Sequence, residues 1–260
     1  LLSIRKYGKK TGLELCRKKI VELMGNRFTT QVIKKDYGLN PEKPISVVIP
    51  AAGMGYRMKS YGPTCLLSAN KKQTLIQKTI DNIKKVLPYS DIIVVLGFES
   101  EKVIKNLPRD IRVVENNLYE ETNIVESLRL GINNSVTENI LIIDGDLIFN
   151  VNTIKGITSS GCSCALIDSK DTLKSDKVGV TIVENRITSF SFGLEKKWGK
   201  IAYLQGKEFD MFHKLCCDKK KNKMFTFEIF NIMINNGCNI RPFNPTGYMI
   251  KEVDSLKDLQ

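Results

Sequence analysis

The sequence contains no uninterrupted apolar run long enough to cross a membrane, and its first residues lack the apolar stretch of a signal peptide. We therefore expect a soluble, cytoplasmic protein that has no membrane partner. Its 260 residues are enough for one large domain with a substantial hydrophobic core.

Histidine is almost missing, since His213 is the only one in the sequence. The seven cysteines lack C-x-x-C spacing, so neither a zinc site nor a disulfide framework is indicated. The sequence also lacks a Ser/His/Asp arrangement and an activated cysteine. A reaction through a covalent intermediate is therefore not expected.

Acidic residues are the minority, because 28 Asp and Glu stand against 40 Lys and Arg, for a formal net charge of +12. Much of the excess lies in residues 1–44 and in the lysine run at residues 219–223. Such runs are usually solvated surface, and we do not expect nucleic acid as a partner. A positive field also attracts small phosphorylated ligands, so charge alone does not decide the function.

Short apolar segments alternate with helical patterns over residues 45–143. After Asp146 the pattern changes to antiparallel strands, two of which meet at a predicted hairpin turn, Glu184-Asn185. We therefore predict an α/β fold with a Rossmann-like, mostly parallel central sheet and helices on both faces. A smaller antiparallel subdomain would follow it.

A glycine-containing loop follows the first predicted strand, within the segment ISVVIPAAGMGYRMKSYGPTCLL at residues 45–67. Gly53 and Gly55 let the backbone approach an anion closely, and they adopt positive φ without steric cost. Arg57 adds a fixed positive fork for the same phosphates. Met58 occupies the place of the third glycine in a dinucleotide-binding fingerprint, so the loop indicates phosphate binding of another kind.

Two acidic residues, Asp144 and Asp146, follow a predicted buried strand and are separated by one glycine. Ligands of open α/β sheets bind at the carboxyl ends of the strands, where these side chains would lie. Carboxylate oxygens suit Mg²⁺, which bridges phosphates well. Taken alone, the two acids are explained equally well as turn residues. The phosphate loop nearby favours the metal site.

The glycine loop and the residues after it resemble the signature of the nucleotidyltransferase family, A-A-G-x-G-x-R followed by P-K-x-L-L. This family includes sugar-1-phosphate nucleotidyltransferases and choline-phosphate cytidylyltransferases of bacterial type. The matching residues are Ala51, Ala52, Gly53, Gly55, Arg57, Pro63, Leu66 and Leu67. The resemblance covers residues 45–260, which we interpret as a nucleotidyltransferase domain. Residues 1–44 would be a basic helical N-terminal extension or the end of a preceding domain.

The resemblance implies that a phosphorylated or phosphonate acceptor attacks the α-phosphorus of a nucleoside triphosphate and releases pyrophosphate. The residues of the loop would bind the nucleotide, and its partner in the reaction would be a small phosphorylated acceptor. The residues expected to act in catalysis are Arg57, Thr64 and Asp146. Alignment and charge neutralisation would drive the step, since an ionised phosphate needs no general base.

The resemblance also assigns residues outside the loop. The cofactor would be Mg²⁺, bound by Asp146 and by Asp254, which matches the I-D-x-x-x-D-L ending of cytidylyltransferases. That ending, together with Ser127 against the base, favours CTP as the nucleotide. Lys200 and Glu228 are candidate acceptor contacts, and a surface role explains each equally well.

Thr64 stands where the family carries the lysine of P-K-x-L-L. Three explanations stay open: an engineered substitution that slows turnover, a natural change compensated by Lys59 or Lys71, or lost activity. A non-catalytic nucleotide-binding protein is therefore one alternative function. A glycosyltransferase of the related GT-A fold, which also carries D-x-D, is another, and the triphosphate loop argues against it.

Overall fold

A computed structural model describes residues 45–55, 62–70, 72–169, 176–254 and 258. The predicted N-terminal extension at residues 1–44 lies outside the described residues, as do Arg57, Lys59 and Lys71. The division of the chain at residue 45 therefore stays a prediction. Within the described ranges, none of the helices has the length and apolar character needed to cross a membrane.

The first half of the chain alternates strands and helices, as its sequence pattern predicts. Its elements are β1 (Ser46–Ala51), β2 (Ser68–Asn70), β3 (Gln73–Thr74), α1 (Leu75–Val86), β4 (Asp91–Leu96), α2 (Ser100–Asn106), β5 (Arg112–Glu115), α3 (Ile124–Asn133) and β6 (Ile140–Ile143). Helix α1 begins at a capping box, because Thr74 Oγ1 accepts from the Gln77 N–H and the Gln77 side chain accepts from the Thr74 N–H. Helix α3 begins at Asn123, whose side chain accepts from the Ile124 N–H.

Strands β6, β1, β4 and β5 lie side by side in that order and are parallel. Helices cover both faces, since Ile80 of α1 belongs to one hydrophobic core and Leu128 of α3 to the other. Gly131 of α3 lies so close to β1 that an added Cβ would be 2.4 Å from Val48 Cγ1. Helix α3 therefore packs directly on the strand that leads into the glycine loop.

The second half of the chain is mainly antiparallel. Its elements are β7 (Leu147–Phe149), α4 (Val151–Ile154), β8 (Cys164–Asp168), β9 (Val178–Val183), β10 (Arg186–Phe192), β11 (Lys196–Leu204), α5 (Gly206–Cys216), α6 (Thr226–Asn235), β12 (Arg241–Phe243) and β13 (Ile250–Glu252). Strand β11 pairs antiparallel with β6, β8 and β9. The antiparallel strands therefore continue the same nine-stranded sheet, and β11 joins the two halves.

The predicted α/β class and the alternation of parallel strands with helices are confirmed. Glu184 and Asn185 form the hairpin turn between β9 and β10, with φ angles of 47° and 58°. Strand β11 begins at Lys196, because Lys196 and Lys197 pair with β9 before the strand continues along β8 and β6. Strand β7 was not predicted, since it is three residues long and pairs only with the distant β13 among the described strands.

Candidate active site

A cavity of about 420 Å³ opens at the carboxyl ends of β1 and β6, where parallel α/β sheets commonly bind ligands. The first half of the chain contributes the loop after β1, the start of α3 and the turn after β6. The second half contributes β11, the start of α6 and the end of β13. The sheet thus brings residues from Pro50 to Glu252 into one lining.

The end of β1, which leads into the glycine loop, and the Asp-Gly-Asp turn touch each other at this cavity. Gly55 has a φ of 57°, a left-handed conformation that a side chain disfavours, whereas Gly53 does not have the positive φ that the sequence predicts. Gly145 is required by packing, because a Cβ there would lie 3.0 Å from both Ala51 Cβ and Pro50 O. Its N–H donates to Pro50 O over 3.2 Å. The predicted phosphate site therefore adjoins the predicted metal site.

A polar cluster at the start of α3 lines another part of the cavity. The buried Asn116 donates from Nδ2 to Thr122 Oγ1 and to Ser127 Oγ, both at 3.2 Å. The Thr122 hydroxyl donates in turn to Leu118 O over 2.6 Å. Because Ser127 Oγ accepts from Asn116, its own proton is left to donate to a ligand. Asn116 was not predicted as a site residue, because its only signal in the sequence is its position directly after β5.

Carboxylates and lysines from two strands and three connecting segments meet in what we call the acid–lysine cluster. Its members are Asp144, Asp146, Lys177, Lys200, Glu252 and Asp254. Lys200 Nζ lies 2.6 Å from Glu252 Oε1, 3.2 Å from Asp146 Oδ2 and 3.9 Å from Asp144 Oδ2. Lys177 Nζ lies 2.9 Å from Glu252 Oε2 and also contacts Asp254. Glu252 therefore links the two lysines.

The electrostatics of the cluster keep Lys200 charged. Burial would lower the pKa of Lys200, but Asp146, Asp144 and Glu252 outweigh burial and raise that pKa above its usual value. Burial raises the pKa of Asp144 to about 8, and Asp146 and Glu252 add to this rise while Lys200 opposes it. Burial likewise raises the pKa of Asp146. The site holds more negative charge than its two lysines can neutralise, which suits a further cation.

The carboxylates offer some of the oxygen ligands that the predicted Mg²⁺ needs, but they do not form a complete set. Asp144 Oδ1 and Asp146 Oδ1 are buried and have no hydrogen-bond partner, so they are oriented for an additional ligand. In the part of the chain that the structure describes, no group of three or more His, Cys, Asp or Glu side chains is arranged to hold a metal. Mg²⁺ at this place would take its remaining oxygens from phosphate and water.

The structure brings most of the predicted site residues together. Those that line the cavity are Ala51, Ala52, Gly53, Gly55, Thr64, Ser127, Asp146 and Lys200. Asp254 joins them through Lys177, and the Val253 N–H donates to Asp146 O over 2.9 Å, so the two predicted metal ligands come from adjoining segments. Arg57 lies outside the described residues.

Glu228 lies apart from the other predicted residues. Its carboxylate caps the start of α6 by accepting from the Phe225 N–H over 2.7 Å, and it is not among the described residues that line the cavity. The geometry therefore gives no support to Glu228 as an acceptor contact. Glu252, which the sequence analysis missed, does line the cavity. Glu252 is the last residue of β13 and lies two residues before the predicted metal ligand Asp254.

Thr64 lines the cavity at the start of a 3-10 turn, Thr64–Leu66. The turn is closed by the Leu66 N–H, which donates to Pro63 O over 2.9 Å. Among the described residues of the lining, the cations are Lys177, Lys197 and Lys200. Thr64 thus shares the cavity with these three lysines.

Comparison with known sequences supports the resemblance. Residues 47–174 match the MobA-like NTP transferase domain family. A stretch of 61 residues is 44% identical to the bifunctional protein GlmU of Solibacter usitatus, and this match covers 24% of the chain and 13% of that relative. The chain thus matches only a small part of the length of this relative.

Comparison with solved structures shows the same fold. The CTP:phosphocholine cytidylyltransferase of Streptococcus pneumoniae is similar with a TM-score of 0.65 and 18% identity, covering 83% of this chain and 96% of that one. The inositol-1-phosphate CTP transferase of T. maritima has a TM-score of 0.69 and 18% identity, with 83% and 91% covered. A putative glucose-1-phosphate thymidylyltransferase of Bacillus anthracis has a TM-score of 0.70 and 15% identity, with 83% and 92% covered. Residues 47–174 thus match an NTP transferase domain family, and the chain shares the fold of these solved nucleotidyltransferases.

Proposed function

We propose that this chain transfers a nucleotidyl group, with CTP as the favoured donor, to a phosphorylated or phosphonate acceptor and releases pyrophosphate. The observation that carries the proposal is the meeting of the glycine loop and the acid–lysine cluster in one cavity. The loop would bind the triphosphate, and the cluster would lie near the α-phosphate, where negative charge shifts to the leaving pyrophosphate during transfer. The similar solved proteins are named as transferases that use CTP or form thymidylyl products.

In this reaction an ionised acceptor oxygen forms a bond to the α-phosphorus, and the α–β bridging oxygen leaves with pyrophosphate. A phosphate monoester is largely ionised near neutral pH, so the acceptor needs no general base. The residues would act by aligning the two ligands and by neutralising charge.

The glycine loop would hold the β- and γ-phosphates of the donor. The left-handed conformation of Gly55 turns successive backbone N–H groups, and such turned N–H groups form a concave anion site. Arg57, two residues later, would add the positive fork. The contact between Gly145 and the loop would then set the α-phosphate beside Asp146.

We propose Mg²⁺ as the cofactor, held by Asp146 and Asp254. When bound, it neutralises charge on phosphate oxygens and fixes their orientation. The unpartnered Asp144 Oδ1 and Asp146 Oδ1 support a cation at this point. Lys177 and Lys200 hold the carboxylates of the cluster in place by ion pairs, which reduces the repulsion among them.

We further propose that Lys200 supplies the positive charge that the family's lysine provides at position 64. Lys200 lines the cavity, is charged, and lies within 3.2 Å of Asp146. This extends the predicted role of Lys200 as an acceptor contact, because the acceptor phosphate and the α-phosphate must meet near Asp146. Removal of a cation or donor aimed at transition-state charge typically costs about 10²-fold or more in rate.

We propose that Ser127 contacts the base of the nucleotide. Its hydroxyl accepts from Asn116 and is left to donate. The carbonyl oxygen O2 accepts in cytosine, uracil and thymine alike, whereas N3 accepts only in cytosine and carries a proton in the other two. A contact of the Ser127 hydroxyl with N3 would therefore favour CTP over UTP.

A measurement of pyrophosphate release tests the proposal. The chain, with Mg²⁺ and each of CTP, UTP, dTTP and ATP, is incubated with and without choline phosphate, 2-aminoethylphosphonate or glucose 1-phosphate. We expect release that requires both a triphosphate and an acceptor and that is fastest with CTP. Tight binding of CTP without release from any pair would instead support the non-catalytic nucleotide-binding function, which Thr64 in place of lysine favours.

A further inference from the structure

Three phenylalanines form a continuous aromatic surface on the second-half side of the cavity, which we call the aromatic wall. It consists of Phe192 at the end of β10 and of Phe225 and Phe227 at the start of α6, and all three line the cavity. The rings of Phe192 and Phe227 are 5.4 Å apart and nearly perpendicular, and those of Phe225 and Phe227 are 5.8 Å apart and stacked. The wall therefore has a defined geometry without a ligand.

The wall is unusually open to solvent for phenylalanine. Phe192 is 54% exposed and Phe225 is 49% exposed. Single exposed apolar residues are common on protein surfaces, but these two are joined through Phe227 and line the same cavity as Asp146 and Lys200. An exposed apolar patch in a cavity with a few polar groups is typical of a ligand site.

Two buried polar atoms beside the wall have no hydrogen-bond partner. Trp198 is 5% exposed and Thr226 is 2% exposed, and both line the cavity. Trp198 Nε1 and Thr226 Oγ1 are buried and unpartnered. Leaving such atoms unpaired costs about 1–3 kcal/mol each, so a ligand that pairs with them is favoured. The indole N–H can only donate, which suits a phosphate or phosphonate oxygen.

The charges of the lining decide what the wall would bind. Lys197 and Lys200 flank Trp198 on β11, so this strand suits the anionic end of the acceptor. The wall itself carries no positive charge, and the exposed Asp176 lines the same cavity. Aromatic faces attract cations through the negative charge of their π-systems. A neutral sugar would instead need several hydrogen-bonding side chains for its hydroxyls.

We infer that the acceptor is a small organic cation, an ammonium group joined by a short linker to a phosphate or phosphonate, with its cationic end against Phe192, Phe225 and Phe227. The inference rests on the proposed function, whose acceptor it specifies. Its anionic end lies toward Lys200 and the Trp198 N–H. A quaternary ammonium and a primary ammonium share this chemistry, and the ligands tested below distinguish them.

Equilibrium binding tests the inference independently of turnover. Choline phosphate and its neutral isostere 3,3-dimethylbutyl phosphate, in which carbon replaces nitrogen, are titrated calorimetrically with the α,β-methylene analogue of CTP present. We expect choline phosphate to bind on the order of tenfold more tightly than the isostere. Phosphoethanolamine and 2-aminoethylphosphonate represent the primary ammonium, and glucose 1-phosphate represents the neutral acceptor.

Leucine variants connect the preference to the wall. Phe192→Leu and Phe225→Leu keep an apolar surface but remove the aromatic face, so we expect each to reduce the preference for cation over isostere while the affinity for the isostere changes little. The control is Tyr89→Leu, since Tyr89 is 51% exposed and is not among the described residues of the lining.

Several results would overturn the inference: equal affinity for a cationic ligand and its isostere, tighter binding of glucose 1-phosphate, binding of no cationic ligand, or leucine variants with the full preference. A clear preference for the cationic ligand, without pyrophosphate release from any pair of triphosphate and acceptor, would support the aromatic wall as a cation-binding site. That same result would overturn the transferase function.

Discussion

The two sides of the cavity are built in different ways. On the side proposed to bind the nucleotide phosphates, the site places its main requirements on the backbone: the left-handed Gly55 of the loop and the close packing of Gly145 on Ala51. On the acceptor side it comes from side chains on separate elements, such as Lys200 on β11 and Glu252 on β13. The first side therefore depends on conformation, and the second depends on charge and side-chain shape.

Strand β11 connects the two sides of the cavity. It pairs with β6, which leads into Asp144 and Asp146, and with β8 and β9 of the antiparallel half. Lys200 of this strand forms ion pairs with both Asp146 and Glu252. Variants of residues that β11 brings together, such as Asp146 and Lys200, should therefore lower turnover more than variants on one side of the cavity alone.

The largest loss of turnover is expected for variants of Asp146, which pairs with Lys200 of β11. Asp146→Asn keeps the shape of the side chain but removes the charge proposed to hold Mg²⁺, so turnover should fall by about 10³-fold. Pyrophosphate release measures it, with circular dichroism to verify folding. Asp110→Asn is the control, because Asp110 is exposed and pairs with Lys84 on the surface. Turnover within twofold of the unchanged protein would remove Asp146 from the site.

Lys200→Met should lower turnover by about 10²-fold, because it removes the cation proposed to replace the family's lysine. The change should lie mainly in kcat, since the charge is needed most in the transition state. Lys196→Met, at an exposed position of the same strand, should leave turnover unchanged. An effect confined to KM would assign Lys200 to ground-state binding instead.

Thr64→Lys tests the nucleotide side for the charge it lacks. Lys200 is shared among three carboxylates, so its compensation should be incomplete, and a lysine at position 64 should raise turnover by about tenfold. Thr64→Met adds length without charge and should not raise turnover. A Thr64→Lys variant with equal or lower turnover would favour the nucleotide-binding function without catalysis.

Gly55→Ala examines the backbone requirement directly. A side chain at a φ of 57° costs on the order of 1 kcal/mol, and relaxation of the loop should weaken CTP binding by about fivefold. Gly206→Ala is a matched control, because Gly206 has a φ of 55° and its Cβ would meet open space. It should lower stability similarly without changing CTP affinity. Equal affinity in both variants, measured by calorimetry, would contradict the phosphate-loop assignment.

Ser127→Ala should have the smallest effect. One hydrogen bond contributes about 0.5–1.5 kcal/mol, so CTP affinity should fall a few-fold and the preference for CTP over UTP should narrow. Ser191→Ala, at an exposed position of β10, provides the control. An unchanged preference would place the base elsewhere.

The sequence by itself determined the features that depend on neighbouring residues. The strand leading into Ala51-Ala52-Gly53, the Asp-Gly-Asp turn and the Glu184-Asn185 hairpin each follow from local rules of hydrophobic pattern and turn chemistry. Helix α1 likewise falls within the predicted alternation of strands and helices over residues 45–143. Such features are readable because the residues that decide them are consecutive.

Only the tertiary structure decided what distant segments do together. It joined Asp254 to Lys177, put Lys200 beside Asp146 and Glu252, and brought Phe192 of β10 against Phe227 of α6. The ion pairs of Lys200 do not follow from periodicity, because they depend on the register of β11 against β6 and of β13 against β7. Strand register is set by packing of the whole sheet, and a shift of one residue would turn Lys200 or Glu252 to the opposite face.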